Sequence, residues 1–461
     1  MKHFRPVLLL CVLCLLFGVC AFAAAAEENT PFVPVVRFIA SSDTHVKGDD
    51  DVNMLRIGKM LDLAYSIAES DEQYQKLDAL LVAGDLTNNG TQEEFERFWN
   101  AVSTGLRGDT KYLGVVAKNH DGWTVGREEL HAMYSALTGA TPDFHTVVNG
   151  YHFIGLSVSA DKKHHYDKAQ KQWLKEQLDA AVAEDPNKPV FVMHHEHNRG
   201  TVYGSSLYDG WGITHLKGIL KKYPQVVDIS GHSHYPLNDP RSIWQKEFTA
   251  IGTGAIYYAE VTTAGIRAYD PPDCKEVGTF WLVELDAQHN MHLRGYDVEA
   301  KEMLCEYTIK NPADPANRDY TPKKLKAASV APAFALDAEL KVSPEFGKCT
   351  VQAPLARSVD GTPVVLYRAK AKNRFGYTVA KDWVLPSYYR AEMPDTVEFE
   401  LDTLGAGTYS VTVTAETAYG VKSKPLETIV TVEGKKGFAH FFESVKKGFI
   451  STKEFFRQLF S

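Results

Sequence analysis

Several short blocks of histidine, aspartate and asparagine directly follow apolar segments that predict buried strands. The first block is Asp43-Thr44-His45, and the second is Gly84-Asp85. Because the end of a strand points side chains out of the sheet edge, residues placed there can meet in one crevice. Oxygen and imidazole ligands without thiolates suit manganese, iron, zinc or cobalt. The remaining blocks are Asn119-His120-Asp121, His194-His195 and Gly231-His232-Ser233-His234.

The spacing within these blocks predicts a site for two metal ions. In Asp43-x-His45 and His232-x-His234, one residue separates the pair, so both side chains of an extended segment point to the same side. Two ions about 3.5–4 Å apart need a shared carboxylate, and Asp85 is the natural bridge because a turn follows it directly. Any one block alone is more often a turn or a satisfied hydrogen bond. All five blocks in this order, each directly after an apolar strand, would rarely arise by chance and therefore indicate one shared site.

Between the blocks, short apolar strands alternate with amphipathic helices from about residue 33 to residue 305. This alternation predicts an α/β fold with its ligands at the carboxyl ends of the strands. The predicted strands are 35–40, 79–83, 112–117, 153–158, 189–193 and 226–229. The predicted helices are 54–70, 91–102, 128–137 and 167–183.

The C-terminal third of the chain has a different pattern. Residues 306–335 are rich in proline and lysine and predict an exposed linker. In 336–433, β-alternation dominates, most clearly in 408–415, where Tyr409 and every second residue after it would face inward. This region resembles a fibronectin type III or related immunoglobulin-like sandwich, with Tyr409 placed like a tyrosine corner. Another β-sandwich is the alternative.

The two ends of the chain predict export and surface contact. Residues 1–26 combine a cationic start, an apolar run and small residues, which is the order of a secretory signal peptide. We therefore expect a periplasmic, cell-surface or secreted protein. Residues 435–461 predict a basic amphipathic helix, which would pack on its own domain or lie on an anionic surface. An exported chain permits a disulfide, for which Cys274 and Cys305 are the expected partners. The formal net charge of −8 argues against a nucleic-acid partner.

The five blocks together resemble the calcineurin-like metallophosphoesterases, whose pattern is DxH, GDxxxxG, GNHD, a histidine after a strand, and GHxH. The resemblance covers residues from about 35 to 300. The run from Gly84 to Thr91, followed by Glu93, is most similar to the class III cyclic-nucleotide phosphodiesterase branch. The fold that this implies is a two-sheet αββα sandwich flanked by helices, followed here by the smaller all-β domain and the C-terminal helix.

The resemblance also implies a role for each residue. Asp121 would orient His120, which would sit beside the leaving group as general acid or electrostatic stabiliser. His195 is the alternative to His194 as a ligand. Lys118 stands where the family has glycine, and Asn88 stands where purple acid phosphatases have tyrosine, so no iron–tyrosinate site is expected. The implied ligands of the two ions (Mn, Fe or Zn) are Asp43, His45 and His234 for the first, Asn119, His194 and His232 for the second, and Asp85 for both.

The expected activity is hydrolysis of a phosphate ester, in which the metal ions activate a hydroxide for attack on phosphorus. The expected substrate is a small phosphate ester, for example a nucleotide, and a phosphodiester is favoured over a monoester. The first alternative is a secreted phosphomonoesterase or nucleotidase. However, the second domain of two-domain nucleotidases is α/β, whereas 336–433 predicts an all-β domain. The other alternative is a surface interaction protein with a vestigial metal core.

Overall fold

The computed structural model describes residues 31–48, 52–161, 163–206, 211–263, 266–271 and 273–434. The chain divides into two compact units, Met1–Val33 and Pro34–Ser461, and only residues 31–33 of the first are described. The expected signal peptide, 1–26, and the expected C-terminal helix, 435–461, lie outside the described residues. Among the residues that are described, no helix is long and apolar enough to cross a membrane.

The N-terminal region is built from strands and helices in alternation, as the apolar pattern predicts. Its helices are α1 (Val52–Ser70), α2 (Gln92–Gly105), α3 (Arg127–Thr138), α4 (Lys168–Glu184) and α5 (Lys217–Leu220). Its strands are β1 (Pro34–Ser41), β2 (Ala79–Ala83), β3 (Lys111–Val115), β4 (Phe144–Val148), β5 (Tyr151–Gly155), β6 (Val190–Met193), β7 (Val226–Ser230), β8 (Ile243–Gln245), β9 (Thr249–Gly252), β10 (Val261–Thr263), β11 (Ile266–Tyr269), β12 (Thr279–Asp286), β13 (Met291–Asp297) and β14 (Glu302–Ile309).

Twelve of these strands form two six-stranded sheets that pack face to face, and β10 pairs with β11 in a separate two-stranded sheet. The first has the order β14-β13-β12-β1-β2-β3, and the second has the order β4-β5-β6-β7-β9-β8. Phe38, Phe153 and Phe191 meet between the sheets, with the rings of Phe153 and Phe191 stacked at 4.8 Å. Helices α1, α2 and α3 cover the first sheet, and α4 covers the second. The predicted αββα sandwich is therefore confirmed.

Local sequence signals fix where the covering helices begin. Thr91 caps α2, and its side chain accepts from the backbone N–H of Glu94, whose carboxylate reaches back to the backbone N–H of Thr91. Phe95 and Phe98 then lie on the buried face of the helix. Asp167 caps α4 in the same way. These reciprocal side-chain and backbone hydrogen bonds are capping boxes. Because each helix starts at its capping box, the length of the loop before it is defined.

The expected exposed linker, 306–335, is partly built into the N-terminal region. Strand β14 continues to Ile309, past the expected end of the domain at residue 305. Arg318 is buried, and its guanidinium donates to the carbonyl oxygens of Pro312 and Pro224. A short helix, α6 (Pro322–Ala328), follows. The linker is thus held by hydrogen bonds that its proline- and lysine-rich composition does not reveal.

The remaining residues form a β-sandwich, as expected. Its two sheets have the orders β15-β16-β19 and β18-β17-β20-β21. The Tyr409 hydroxyl donates to the Gly405 carbonyl oxygen at 3.0 Å, which is the hydrogen bond of a tyrosine corner. The strands are β15 (Lys341–Glu345), β16 (Lys348–Pro354), β17 (Val364–Lys372), β18 (Thr378–Val384), β19 (Thr396–Asp402), β20 (Gly407–Thr417) and β21 (Leu426–Val432).

The sandwich packs directly on the N-terminal region. The Asp273 carboxylate accepts from the Ser387 hydroxyl at 2.6 Å, the Arg390 guanidinium at 2.9 Å and the Tyr389 hydroxyl. Asn238 donates to the Tyr388 carbonyl oxygen at 2.6 Å. An apolar cluster from both sides surrounds these bonds and includes Ala259, Val261, Val277, Val365, Leu366 and Leu385.

The expected disulfide is absent. Cys274 lies in a 3-10 turn (Cys274–Glu276) beside the sandwich, and Cys305 lies on β14 opposite Gly295. Both thiols are free, and so is that of Cys349. The pairing is therefore corrected.

Candidate metal centre

The first cluster of polar side chains joins two distant segments of the chain. The Nε2 atom of His234 lies 3.1 Å from Oδ1 of Asp43 and 3.2 Å from Nε2 of His45. Nε2 of His45 lies 3.8 Å from the same Asp43 oxygen. All three side chains are buried, so no bulk water satisfies them. Their ligand atoms all lie within 4.8 Å of one another, a spacing that suits a single ion between them.

The second cluster is centred on Asp85. Oδ2 of Asp85 lies 3.0 Å from Nε2 of His195, which is 3.1 Å from Nδ1 of His232. The same Asp85 oxygen lies 4.0 Å from Nε2 of His45, in the first cluster. Asp85 therefore lies between the two clusters, at the position expected of a bridging ligand.

The structure replaces His194 by His195 as the candidate ligand. Nε2 of His194 lies 2.7 Å from Oδ1 of Asp228, whose other oxygen accepts from Asn198 at 2.9 Å. Strand β6 ends at Met193, and consecutive residues of an extended segment point to opposite faces. His195 thus faces the crevice between the sheets, and His194 faces away from it.

The donor atoms fit a pair of metal ions. Oδ1 of Asp85 is buried and lacks a hydrogen-bond partner, which is costly for a carboxylate unless a cation lies close by. Burial lowers the pKa of His45 and of His232 to about 4, so both imidazoles are neutral at neutral pH. Neutral imidazole is the form that binds metal. Burial alone would raise the pKa of Asp85, but His195 and His45 hold it below its ordinary value.

The backbone of the candidate ligands is strained. Five of them adopt positive φ, a region that non-glycine residues seldom occupy and that tends to cluster at functional sites. Each turns the chain sharply just after a strand, which brings side chains from neighbouring strand ends into one crevice. They are Asp43 (φ 53°), His45 (43°), Asp85 (48°), His232 (72°) and His234 (55°).

Two glycines beside the ligands leave room for them. A Cβ at Gly84 would lie 2.8 Å from the ring of His195, and Gly84 itself has φ +85°. A Cβ at Gly231 would lie 2.5 Å from Oδ2 of Asp43 and closer still to Ser42. Both glycines therefore allow close approach of the ligand side chains, and Gly84 also adopts a turn conformation that other residues seldom occupy.

His120 lies at the side of the clusters. Its ring is 4.3 Å from that of His45, and one of its nitrogens lies within 4.8 Å of ligand atoms of His45 and Asp85. Its Nδ1 lies 2.8 Å from the carbonyl oxygen of Asn88. A carbonyl oxygen can only accept, so Nδ1 carries a proton and Nε2 is left for chemistry.

The expected role of Asp121 is corrected. Its carboxylate accepts from the backbone N–H of Ala117 and from both the N–H and the hydroxyl of Thr87, at 2.9–3.0 Å. The carbonyl of Asn88, rather than Asp121, thus orients His120. Burial and the nearby Asp85 raise the pKa of Asp121 to about 7. Asp121 ties together the two loops that carry Asp85 and His120.

Asn119 and Lys118 lie on the open side of the centre. Both line a cavity of about 380 Å³ together with His120, Gly122 and Trp123. Asn119 is half-buried, and Lys118 is exposed and does not adopt positive φ, so this position tolerates a residue other than glycine. Asn119 remains a candidate second-ion ligand, since it borders the same cavity as His120.

Sequence reasoning missed the residues that hold the ligand loops. His197 is buried between the hydroxyls of Ser230, at 2.8 Å, and Ser233, at 2.7 Å, and Ser233 stands between the two ligand histidines. Asn53 donates to the carbonyl oxygen of His45 at 2.8 Å. The only available signal for His197 was its place two residues after His195. Its partners lie more than 30 residues away.

Comparison with known proteins identifies the domain. Residues 36–236 match the family model described as calcineurin-like phosphoesterase. This span includes every candidate ligand, from Asp43 to His234. Residues 36–236 are therefore similar to a calcineurin-like phosphoesterase domain, over somewhat less than half of the chain. A search of curated proteins found no match.

Solved structures share parts of the architecture. A purple acid phosphatase from seeds of yellow lupin (Lupinus luteus) is 13% identical at a TM-score of 0.41, over 60% of this chain and 53% of that one. A putative 5′-nucleotidase from Staphylococcus aureus is 11% identical at a TM-score of 0.33, over 66% of this chain and 60% of that one. A human fibronectin type III domain is 14% identical at 0.17, over 25% of this chain and 82% of its own.

This chain thus matches only about half of the phosphatase and 60% of the nucleotidase. Because all three TM-scores are below 0.5, the domain assignment rests on the family match and on the geometry of the site.

Proposed function

We propose that this protein hydrolyses small phosphate esters with two bound metal ions, and that it prefers phosphodiesters. The observation that carries the proposal is the position of Asp85 between two clusters of ligands, with His120 beside them. Bound divalent ions supply Lewis acidity, which lowers the pKa of water and neutralises phosphoryl charge. The ligands would be Asp43, His45 and His234 on one side, His195, His232 and Asn119 on the other, and Asp85 between.

In this proposal, the protein's own catalytic group is His120. The Asn88 carbonyl accepts from Nδ1 and fixes the orientation of the ring, so the doubly protonated imidazole gives the proton on Nε2 to the departing alkoxide. Asp121 keeps the His120 loop against the Asp85 loop through Thr87. Water attacks phosphorus and releases one proton to solvent, the ester P–O bond breaks, and its electron pair stays on the leaving oxygen, which takes a proton from His120. No protein nucleophile is required.

The preference for diesters rests on two observations. The segment from Gly84 to Thr91 is most similar to the cyclic-nucleotide phosphodiesterase branch. The second region is a β-sandwich, whereas a two-domain nucleotidase would carry an α/β substrate domain. A phosphomonoesterase is the alternative, since the metal centre itself does not discriminate between the two ester types.

The test is the turnover of two chromogenic esters by the purified protein. Bis(p-nitrophenyl) phosphate and p-nitrophenyl phosphate would be compared after reconstitution with Mn²⁺, with and without a chelator. Asp85→Asn is the variant expected to be inactive. Asp109→Asn makes the same substitution at an exposed aspartate and is the matched control. Chelator-sensitive cleavage that Asp85→Asn abolishes and Asp109→Asn retains supports the hydrolase. Faster cleavage of the monoester reverses the stated preference, and full activity of Asp85→Asn overturns the site.

We further propose that the protein is exported and contacts an anionic surface through its C-terminal segment. The cationic and apolar order of residues 1–26 supports export, and the basic amphipathic pattern of 435–461 supports the surface contact. N-terminal sequencing of the protein from its native host tests the first part, and an uncleaved N-terminus would contradict it. Co-sedimentation with vesicles that contain anionic lipid, compared with neutral vesicles, tests the second.

A further inference from the structure

The cavity beside His120 holds an exposed tryptophan. It measures about 380 Å³ and is lined by Lys118, Asn119, His120, Gly122 and Trp123. Trp123 is 69% exposed, and its ring meets the ring of His120 edge to face at 5.1 Å. Exposure of a large aromatic side chain to water is energetically unfavourable. The exposure of Trp123 beside His120 therefore indicates a surface that binds a ligand.

The loop that carries Trp123 is held in place. A Cβ at Gly122 would lie 2.8 Å from the carbonyl oxygen of Lys118, so the loop turns tightly. A Cβ at Gly90 would lie 2.2 Å from the carbonyl oxygen of Asp121, which shows how closely the two loops approach. The backbone N–H of Thr124 donates to the Asn89 carbonyl oxygen at 3.1 Å. Trp123 is thus presented by a closely packed backbone.

We propose that this cavity is the leaving-group subsite and that Trp123 stacks on a planar unsaturated ring carried by that group, as in a nucleoside. The inference rests on the hydrolysis proposed above. The leaving oxygen must lie near His120, because His120 is the proton donor, and the group attached to that oxygen then extends into the cavity that Trp123 borders. The exposed ammonium of Lys118, on the same cavity, attracts the anionic ester.

The proposal makes a selectivity prediction. Stacking of a base on an aromatic side chain favours the base-bearing ligand by roughly 5- to 100-fold. The kcat/KM for adenosine 5′-phosphate should exceed that for ribose 5-phosphate by a factor in this range, although both lose a similar primary alcohol. Because the stack is made before the chemical step, the difference should appear mainly in KM.

The experiment compares these two esters, and their methyl diesters, in three variants. Trp123→Ala should bring the ratio toward one, and Trp123→Phe should keep most of it. Phe375→Ala is the matched control, since Phe375 is 68% exposed but lies on the distant sandwich, and it should leave the ratio unchanged. Cleavage of the methyl diester should release adenosine and methyl phosphate, since the nucleoside is the leaving group.

The outcomes separate this inference from the proposed function. If the esters are hydrolysed but Trp123→Ala retains the ratio, or if the methyl diester releases methanol, the subsite is refuted and the hydrolase stands. If no ester is hydrolysed, the hydrolase fails, and the subsite is judged by calorimetric binding of adenosine. Weaker binding by Trp123→Ala than by the unmodified protein then supports the subsite, and equal binding overturns it.

Discussion

His194 and His195 are consecutive in the chain, yet their imidazoles lie in separate polar networks. Nε2 of His195 is 3.0 Å from Asp85, whereas Nε2 of His194 is 2.7 Å from the buried Asp228. His195 therefore belongs to the candidate metal centre, and His194 bonds to a carboxylate on β7. Because both residues are histidines, a difference between their variants in metal binding or stability reflects their different positions.

His195→Ala should lose one of the two metal ions and most of the activity, since it removes a ligand that contacts the bridge. His194→Asn should retain both ions. Its cost should fall on stability, at about 1–3 kcal/mol, because the buried Asp228 loses a partner. Elemental analysis of metal per chain and denaturant unfolding measure the two effects. Loss of metal from a folded His194→Asn variant would return His194 to the ligand set.

Gly84→Ala should disturb the second cluster without removing any ligand. The new methyl group would lie 2.8 Å from the His195 ring, so the ring must move away from Asp85. Gly108→Ala is the matched control, because Gly108 has φ +58° but nothing within 4 Å of its Cβ position. Both variants should lose about 1 kcal/mol of stability from the positive φ. Only Gly84→Ala should also lose metal affinity, and equal metal affinities would contradict the clash.

His120→Ala should keep both ions and lower kcat by the ~10²–10⁴-fold typical of a general acid. The loss should shrink for esters with acidic leaving groups such as p-nitrophenol, which need less protonation. The comparison of p-nitrophenyl and alkyl esters measures this. If His120→Ala loses a metal ion instead, the cluster of His45, Asp85 and His120 is a binding set and the proton has another source.

A chain that ends at residue 332 should be less stable than the full chain and should aggregate. Its N-terminal region would expose the apolar side chains of Ala259, Val261 and Val277, which the sandwich covers. The Asp239 carboxylate accepts a hydrogen bond from the Tyr388 hydroxyl at 3.4 Å. Because Asp239 lies five residues after His234, the loop that carries this candidate ligand would also lose a contact with the sandwich. Thermal unfolding and light scattering of the two chains measure the effect. A soluble fragment as stable as the full chain would show that the contact is not needed.

The contact between the sandwich and the catalytic region should weaken in acid. Burial would raise the pKa of Asp273, but Ser387, Tyr389 and Arg390 hold it below its ordinary value. A carboxyl group with a depressed folded pKa stabilises the fold above its unfolded pKa of about 3.9, and this stability is lost as the pH falls through the folded pKa. Asp273→Asn should therefore cost about 1–2 kcal/mol at pH 6 and less below pH 4.

Unfolding of Asp273→Asn and the unmodified protein across pH 3–6 measures this difference. Asp337→Asn, at an exposed aspartate, controls for the loss of one negative charge. A difference that grows as the pH falls would have the wrong sign for a depressed pKa.

Much of the fold and of the site follows from local patterns in the sequence. The apolar runs identified the strands that end at the ligands, and Thr91 and Glu94 marked the start of α2. The sequence did not predict which of His194 and His195 faces the candidate metal centre. All four residues of β6 are apolar and buried, so no alternation of polar and apolar residues shows which face of the strand each side chain occupies. The partner of Asp121 did not follow either. Thr87 lies 34 residues earlier, and only the packing of two loops brings them together.

The positive φ values of the five candidate ligands have a consequence for the amount of folded protein. Each such residue costs of the order of 1–3 kcal/mol in the folded chain, and bound ions offset that cost. Stability then rises with the logarithm of free metal, by about 1.4 kcal/mol per bound ion for each tenfold increase above the dissociation constant. Starvation for metal would thus deplete the folded population through turnover, and the protein's abundance would track metal supply.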